Sequence, residues 1–235
     1  MTSTAGRPET EWRAALADIA PAMVAGMPFA VLCGALAVAK GLSPVEALTM
    51  SLVVFAGGAQ FAAIEIWGAR VPVFALVVST LLINSRHILM GVSLRPKLDA
   101  LTVPQRLLGC FMLADETWAV AERRAGGRSI TPTYFLVMGV ALWANWVVWS
   151  SVGAWLGPVL GDPKRFGADF AFTAIFIALI VSLSGGRRSG GVVVASAVTA
   201  ALVHALIGSP WHVLSGALAG IVAAAVLPAG TVRAR

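Results

Sequence analysis

The sequence is poor in charged residues. Asp, Glu, Lys and Arg make up only 12% of its 235 residues, whereas soluble domains carry about 25%. Hydrophobic residues reach 58% although aromatic side chains contribute just 8%, so the apolar content is mainly small and aliphatic. Together with 24 glycines, this composition favours helices that pack closely in lipid. We therefore predict an all-α, polytopic integral membrane protein.

Several other features are scarce or missing. The two cysteines, Cys33 and Cys110, lie in apolar runs, so we expect buried thiols and no disulfide, metal site or cofactor. The net charge of +6 is scattered over short connections, which argues against nucleic-acid binding. No short apolar core with a small-residue cleavage site precedes the first apolar run, so we expect no cleaved signal peptide. A P-loop is missing as well, so ATP would have to come from a partner.

Long apolar runs are what the sequence has instead. Crossing the roughly 30 Å hydrocarbon core takes about 20 helical residues. Eight runs approach that length and are separated by Gly, Pro and Ser; they are 19–39, 45–67, 71–94, 105–121, 131–156, 166–183, 190–206 and 211–228. We predict about eight transmembrane segments, some of them broken or re-entrant. They form one membrane domain over 19–228, between an N-terminal lead-in at 1–18 and a tail at 229–235.

The distribution of Lys and Arg predicts the orientation of these spans. With eight spans, ten of the basic residues fall on the side of the two termini and six on the other side. We therefore expect both termini in the cytoplasm. The run 105–121 is short and contains two acids. If it only re-enters the membrane, the count becomes seven and the termini lie on opposite sides.

Arg86 is the charge that most needs an explanation, because "LLINSRHILMGVSL" places it deep inside an apolar run. An arginine at the centre of an inserted helix costs about 2.5–3.5 kcal/mol on insertion scales, so it needs a partner or water. The next run, "LLGCFMLADETWAV", carries Asp115 and Glu116. A hairpin that turns near 95–106 places these acids at the depth of residue 86. The sequence therefore predicts an Arg86–Asp115 or an Arg86–Glu116 pair.

Two interpretations of this pair remain open. A single Arg–carboxylate pair is compatible with a structural salt bridge that pins two helices together. Here, however, Asn84 and His87 flank the arginine, and adjacent acids point about 100° apart on a helix, so one arginine cannot satisfy both. This surplus favours a functional site. We assign ligand binding to Asn84 and Arg86, and proton coupling or charge pairing to His87, Asp115 and Glu116.

A second candidate lies in "VFAGGAQF", which puts Gly57, Gly58 and Gln60 in the middle of a span. Glycine permits a break in the helix, and non-helical backbone at membrane depth is tolerated only against protein or a watery cavity. Freed amides and carbonyls at such a break can bind a small polar ligand. On spacing alone, close helix packing through Ala56 and Ala59 explains the motif better.

Several of these stretches carry a resemblance to a known family. They occur in its order, as "PFAVLCGALA", "GLSPVEA", "FAGGAQF", "NSRHILMGVSL", "ADETWA", "WANWVVWSSVGAW" and "DFAFTAIFIALIV". Over residues 20–185 the chain resembles the AzlC/YgaZ family of bacterial inner-membrane branched-chain amino acid permeases. Members often have Leu where Ser85 stands. The resemblance implies export of valine, leucine or isoleucine, with methionine as a further candidate, and a small AzlD/YgaH-like membrane subunit as partner.

The leading hypothesis is thus a secondary transporter in the bacterial cytoplasmic membrane. A zwitterionic amino acid needs a cation or helix N-terminus for its carboxylate, acceptors for its ammonium and apolar surface for its side chain. Arg86 or the amides of Gly57 and Gly58 meet the first need, and Asp115, Glu116 or Gln60 the second. An ion channel is the alternative. A less favoured one is an intramembrane enzyme that uses Ser215 with His204 or His212, because "LSGALAG" lacks the sequence context of a nucleophile.

Overall fold

The computed structural model describes residues 8–68, 73–126, 129–160, 177, 187–207 and 211–227, and every regular element in these ranges is helical. The all-α prediction is confirmed. The helices are α1 (Pro8–Ala39), α2 (Pro44–Val53), α3 (Gly57–Glu65), α4 (Val73–Asn84), α5 (Arg86–Leu94), a 3-10 turn (Arg95–Lys97), α6 (Val103–Phe111), α7 (Asp115–Ala125), α8 (Pro132–Leu160), α9 (Arg187–Leu206) and α10 (Trp211–Val226).

Four helical stretches among the described residues are long and apolar enough to cross a membrane. They are Thr10–Ala39, Val73–Lys97, Pro132–Gly157 and Ser189–Leu206. The predicted count of eight spans is not confirmed, and the predicted span 166–183 lies outside the described residues except for Ile177. The helix that begins at Pro8 continues through the predicted lead-in to Ala39 without ending at Pro21 or Pro28.

The chain divides into two compact units. The first comprises Met1–Arg70 and Ile83–Pro163, and the second comprises Val71–Leu82 and Lys164–Arg235. The first unit contains every residue that the sequence assigned to a ligand or a proton.

The first unit is built on α1 and α8, which run parallel in direct contact. Asn145 Nδ2 donates to the Met23 carbonyl at 3.1 Å, and further along both helices Gly153 lies against the Val31 carbonyl. A Cβ on Gly34 would stand 1.8 Å from the Ser150 carbonyl oxygen. Small residues therefore let the two backbones touch, as is common in membrane helix pairs.

The predicted span 45–67 is a hairpin of two short helices. α2 ends at Val53, and α3 starts at Gly57 after three residues of extended or irregular backbone. Lys40 precedes α2, and its Nζ donates to the carbonyl of Glu65 at the end of α3 at 3.0 Å. The chain thus returns to the end of α1 from which it left. With 10 residues, α2 spans only about 15 Å, half of the hydrocarbon core.

The predicted span 105–121 is likewise two short helices, and their direction follows from contacts with α5. Arg86 meets Asp115, and Trp118 Nε1 donates to Ser93 Oγ at 2.8 Å. Lys97 donates to Glu122. The residue numbers of the contacting partners rise together on α5 and α7, so these two helices run parallel. The helix α6, which lies between them in the chain, therefore runs in the opposite direction.

The two hairpins open at opposite ends of α1. Arg124, at the end of α7, bonds to Glu11 near the start of α1 at 3.3 Å, whereas the α2–α3 hairpin opens at Lys40 beyond the end of α1. The segment 105–121 is therefore not one continuous helix, and α7 ends near the start of α1.

In the second unit, α9 and α10 form an antiparallel pair joined through small residues. Ser196 Oγ donates to the Gly216 carbonyl at 2.8 Å. A Cβ on Gly216 would lie 2.9 Å from that of Ala200. His204 and His212 face each other near the connection, with ring centroids 4.8 Å apart.

Candidate functional site

Within the predicted spans, helix is interrupted at three places in the described part of the first unit: residues 54–56, Ser85 and residues 112–114. The first and third are the tips of the opposed hairpins. Leu113, from the second tip, belongs to an apolar cluster with residues of α8, and Phe55, from the first tip, packs against the same cluster. Both tips therefore end at one apolar core.

Arg86 and Asp115 form an ion pair at two of these helix starts. Arg86 Nη1 lies 2.8 Å from Asp115 Oδ2, and the side chains are 36% and 37% exposed, so neither is sealed by its neighbours. As the first residue of α7, Asp115 also suits the positive end of the helix dipole. Glu116 is exposed and forms no ion pair with any described residue. Of the two acids that the sequence offered, the structure brings Asp115 to Arg86.

Two buried polar atoms next to this pair have no hydrogen-bond partner in the described part of the chain. They are Asn84 Oδ1, an acceptor, and Arg86 Nε, a donor. Buried polar groups are normally paired, since an unsatisfied one costs about 1–3 kcal/mol. An unpaired donor and an unpaired acceptor thus lie two residues apart beside a salt bridge. A ligand that carries both a carboxylate and an ammonium group would supply a partner for each.

His87 bridges two of the interruptions. Its Nδ1 lies 3.1 Å from the carbonyl oxygen of Asn84, and its Nε2 lies 3.1 Å from the carbonyl oxygen of Leu113. The ring thus joins the start of α5 to the tip of the α6–α7 hairpin, beside the Arg86–Asp115 pair.

The GGAQ motif forms the break that its glycines permit. Ala56 precedes the first turn of α3 and has no side chain to cap its amides. Gly57 lies under the Trp146 ring, since a Cβ there would be 2.8 Å from the indole. Gln60 is buried and occupied by protein partners, because it donates to Ser51 Oγ at 3.2 Å and accepts from Trp146 Nε1 at 2.9 Å. Its amide holds the α2–α3 hairpin to α8.

Sequence reasoning missed the serines of this network. Ser150 Oγ donates to Ser51 Oγ at 2.9 Å, and both side chains are buried. Neither residue stands out in the sequence, because single serines are common in membrane helices. Trp143 and Trp146 belong to the stretch "WANWVVWSSVGAW". The structure turns both toward the α2–α3 hairpin, with Trp143 Nε1 donating to the Leu52 carbonyl at 3.3 Å.

A second polar group closes the mouth of the α6–α7 hairpin and was also missed. Lys97 donates to Glu122, and this bond holds the pKa of the Glu122 carboxyl below its usual range. A carboxyl with a lowered pKa stays charged at neutral pH and loses its bond only as the solution becomes acidic. Tyr134 Oη donates to Asp18 at 2.5 Å and ties α8 to α1 at the same end.

Ser215, the serine of the enzyme alternative, is hydrogen-bonded to backbone. Its hydroxyl donates to the carbonyls of Trp211 at 3.0 Å and His212 at 3.2 Å. A nucleophilic serine needs a base within hydrogen-bond reach, and here both contacts are carbonyl oxygens.

Comparison with known proteins assigns the chain to a family. The profile described as AzlC protein matches residues 21–160, more than half of the chain. The chain belongs to the AzlC protein family. The matched range of this AzlC chain contains both hairpins and the residues around the Arg86–Asp115 pair.

Relatives of this AzlC chain are membrane proteins. It is 27% identical over 220 residues to the inner membrane protein YgaZ of Escherichia coli (strain K12), covering 89% of the chain and 87% of that protein. It is 29% identical over 208 residues to an uncharacterized membrane protein of Archaeoglobus fulgidus, covering 88% and 87%. It is 30% identical over 145 residues to the branched-chain amino acid transport protein AzlC of Bacillus subtilis (strain 168), covering 60% and 55%. No solved structure matches the chain. This AzlC protein is a membrane transporter.

Proposed function

We propose that this protein exports branched-chain amino acids, namely valine, leucine and isoleucine, with methionine as a further candidate. It does so across the bacterial cytoplasmic membrane, with both termini in the cytoplasm, and works with a small AzlD/YgaH-like membrane subunit. The proton gradient drives the export. The name of the Bacillus subtilis relative supports the substrate class.

The observation that carries the proposal is the open donor and acceptor at the Arg86–Asp115 pair. Arg86 Nε lacks an acceptor and Asn84 Oδ1 lacks a donor among the described residues. Both atoms are buried, so the carboxylate and the ammonium of an amino acid reach them only when the surrounding helices move apart. Asp115 adds a negative charge 2.8 Å from Arg86 Nη1. Complementary contacts at both ends of a zwitterion favour free amino acids over molecules with a single charge.

The apolar cluster beside the site supports an aliphatic substrate. Leu113 and Met138 belong to the cluster, and Phe55 and Ala114 pack against it. Leu113 and Met138 are buried, so a substrate would contact the partly buried Phe55 and Ala114. An aliphatic side chain that packs against them is removed from water, which contributes about 0.8 kcal/mol for each buried methylene group. The amides of Gly57 and Gly58, in the first turn of α3, are a second candidate contact for the carboxylate.

The charge-recognition part of the proposal predicts which compounds compete with leucine. In proteoliposomes with purified protein and its partner subunit, counterflow of labelled leucine should saturate. Leucinamide and N-acetyl-leucine, which each lack one charge, should compete at least about tenfold less well than valine, because one buried group stays unpaired. Asn84→Ala should raise the half-saturating leucine concentration by a similar factor.

The matched control is Cys110→Ala, which should leave counterflow unchanged. Cys110 is exposed on α6, so the prediction of two buried thiols is wrong for it and holds for Cys33. Equal competition by both neutralised analogues would contradict recognition of a zwitterion. A leucine-independent current that does not saturate would favour an ion channel instead.

Energy coupling gives a separate prediction. His87, Asp115 and Glu116 are the candidate proton carriers, since ionisable groups at membrane depth are the usual elements of proton relays. Collapsing the proton gradient with an uncoupler should slow export severalfold. Glu116→Gln should reduce gradient-driven export while exchange of labelled leucine persists. Export that is indifferent to the gradient in sealed vesicles would remove the proton from the mechanism, without affecting the assignment of the substrate site.

A further inference from the structure

His87 sits between two backbone carbonyls that have lost their helical donors. In a continuous α-helix the Asn84 carbonyl would accept from the amide of Ile88, but that amide donates to Ser85 at 3.1 Å. The Leu113 carbonyl lies in the interruption between α6 and α7. The two ring nitrogens of His87 approach these oxygens at 3.1 Å each.

The chemistry of imidazole then couples the two contacts to a proton. Carbonyl oxygens only accept hydrogen bonds, so each contact needs an N–H on the ring. A neutral imidazole has one N–H and an imidazolium has two. Both carbonyls are satisfied together only when His87 is protonated, and loss of the proton leaves one of them without a donor.

We propose that protonated His87 is the latch that holds the tip of the α6–α7 hairpin against α5, and that its deprotonation releases the tip. The contact through Nδ1 is local, because Asn84 lies on the same stretch of chain. The contact through Nε2 crosses to the Leu113 carbonyl, so it is the one that opening of the hairpin breaks. Asp115 follows two residues later, so release of the tip also carries Asp115 away from Arg86.

The charged groups around this latch are few. Arg86 is the neighbour on α5, and Asp115 and Glu116 are the acids at the start of α7. α8 carries no Asp, Glu, Lys, Arg or His. The Lys97–Glu122 pair at the hairpin mouth stays charged at neutral pH, because the pKa of Glu122 is lowered. Among side chains, histidine is the one that ordinarily changes charge between about pH 5 and pH 8.

A cysteine at the tip tests the latch without any substrate. On a Cys33→Ala, Cys110→Ala background, the purified full-length protein carries Ala114→Cys, and its reaction with a fluorescent maleimide is timed at about pH 6 and about pH 8. The same cysteine in a His87→Gln background supplies the intrinsic pH dependence of the thiol, since glutamine donates but does not titrate. From pH 6 to pH 8, the labelling rate of the Ala114→Cys protein should rise at least about fivefold more with His87 present than with His87→Gln. Val45→Cys, exposed on α2, should show the same pH dependence in both backgrounds.

An equal pH response of the tip cysteine with and without His87 would overturn the latch. If His87→Gln fails to fold, the comparison runs between Ala114→Cys and Val45→Cys with His87 intact, and equal acceleration at the two positions then has the same meaning. The role of the latch in proton-driven export rests on the proposed function and has its own readout. In proteoliposomes, His87→Gln should flatten the pH profile of leucine exchange while leaving exchange itself measurable. A pH-gated tip in a protein that does not carry leucine would refute the proposed function and leave the latch standing.

Discussion

Arg86→Ala is expected to abolish transport of branched-chain amino acids and to destabilise the first unit. The substitution removes the partner 2.8 Å from the Asp115 carboxylate and one of the two open groups of the site. Losing a hydrogen bond to a charged group costs about 2 kcal/mol, less than the 3–5 kcal/mol typical of fully buried pairs, because this pair is partly exposed. Thermal unfolding in detergent and leucine counterflow measure the two effects separately.

The double variant separates binding from packing. Arg86→Ala combined with Asp115→Asn removes both charges, so it should recover most of the lost stability but none of the transport. Arg106→Ala is the control, since Arg106 stands 3.9 Å from Asp99 with both side chains exposed, and such pairs contribute little. Transport restored in the double variant would reduce the pair to a helix-pinning salt bridge. Normal transport by Arg86→Ala alone would place the site elsewhere.

Gly34→Ala is expected to have the largest effect on folding. The added methyl group would stand 1.8 Å from the Ser150 carbonyl oxygen and 2.7 Å from the Ala154 amide nitrogen. These are backbone atoms of a neighbouring helix, so no side chain can turn aside and α1 must separate from α8. Overpacking of this kind costs about 1–3 kcal/mol and sometimes more. The yield of monodisperse protein in size-exclusion chromatography and the midpoint of thermal unfolding should both fall sharply.

Gly26→Ala is the matched control on the same helix. A Cβ at Gly26 meets no atom within 4 Å, and alanine favours helix over glycine by about 0.5–1 kcal/mol. This variant should therefore be neutral or slightly stabilising. If both variants lose folded protein to a similar extent, the loss is not specific to the contact at Gly34. Wild-type behaviour of Gly34→Ala would contradict the close α1–α8 contact.

The partnership of Arg86 shows what the sequence determines and where its information ends. The cost of an arginine at membrane depth depends on the residue and its apolar neighbours, so the need for a nearby anion is visible in the sequence. Which acid pairs with the arginine depends on the direction in which each acid points around its helix. Asp115 and Glu116 differ by about 100° around a helix, and only the placement of α7 beside α5 turns Asp115 toward the arginine.

For the GGAQ motif, too, the sequence predicts one feature and the fold decides another. Gly57 and Gly58 indicate a break, and the structure has one there. Gln60 was predicted to bind a ligand, yet in the fold its amide contacts Trp146 and Ser51. An amide at membrane depth needs partners, and the sequence cannot tell whether protein or ligand supplies them, because Trp146 lies 86 residues away along the chain.

The sequence by itself determined the class of protein, because a chain with so few charges and such long apolar runs cannot cover its apolar surface in water. It also located the charged stretch around residues 84–87, because burial cost is a local property. Only the tertiary structure decided that 45–67 and 105–121 are each two short helices and not one long one. The tips at 54–56 and 112–114 consist of apolar residues, Val-Phe-Ala and Met-Leu-Ala, so they lack the polar turn signals by which a reversal is normally read. Hydropathy measures how much apolar chain is present, while the direction of that chain is set by contacts such as Lys40 with Glu65 and Lys97 with Glu122, which form only once the helices have packed.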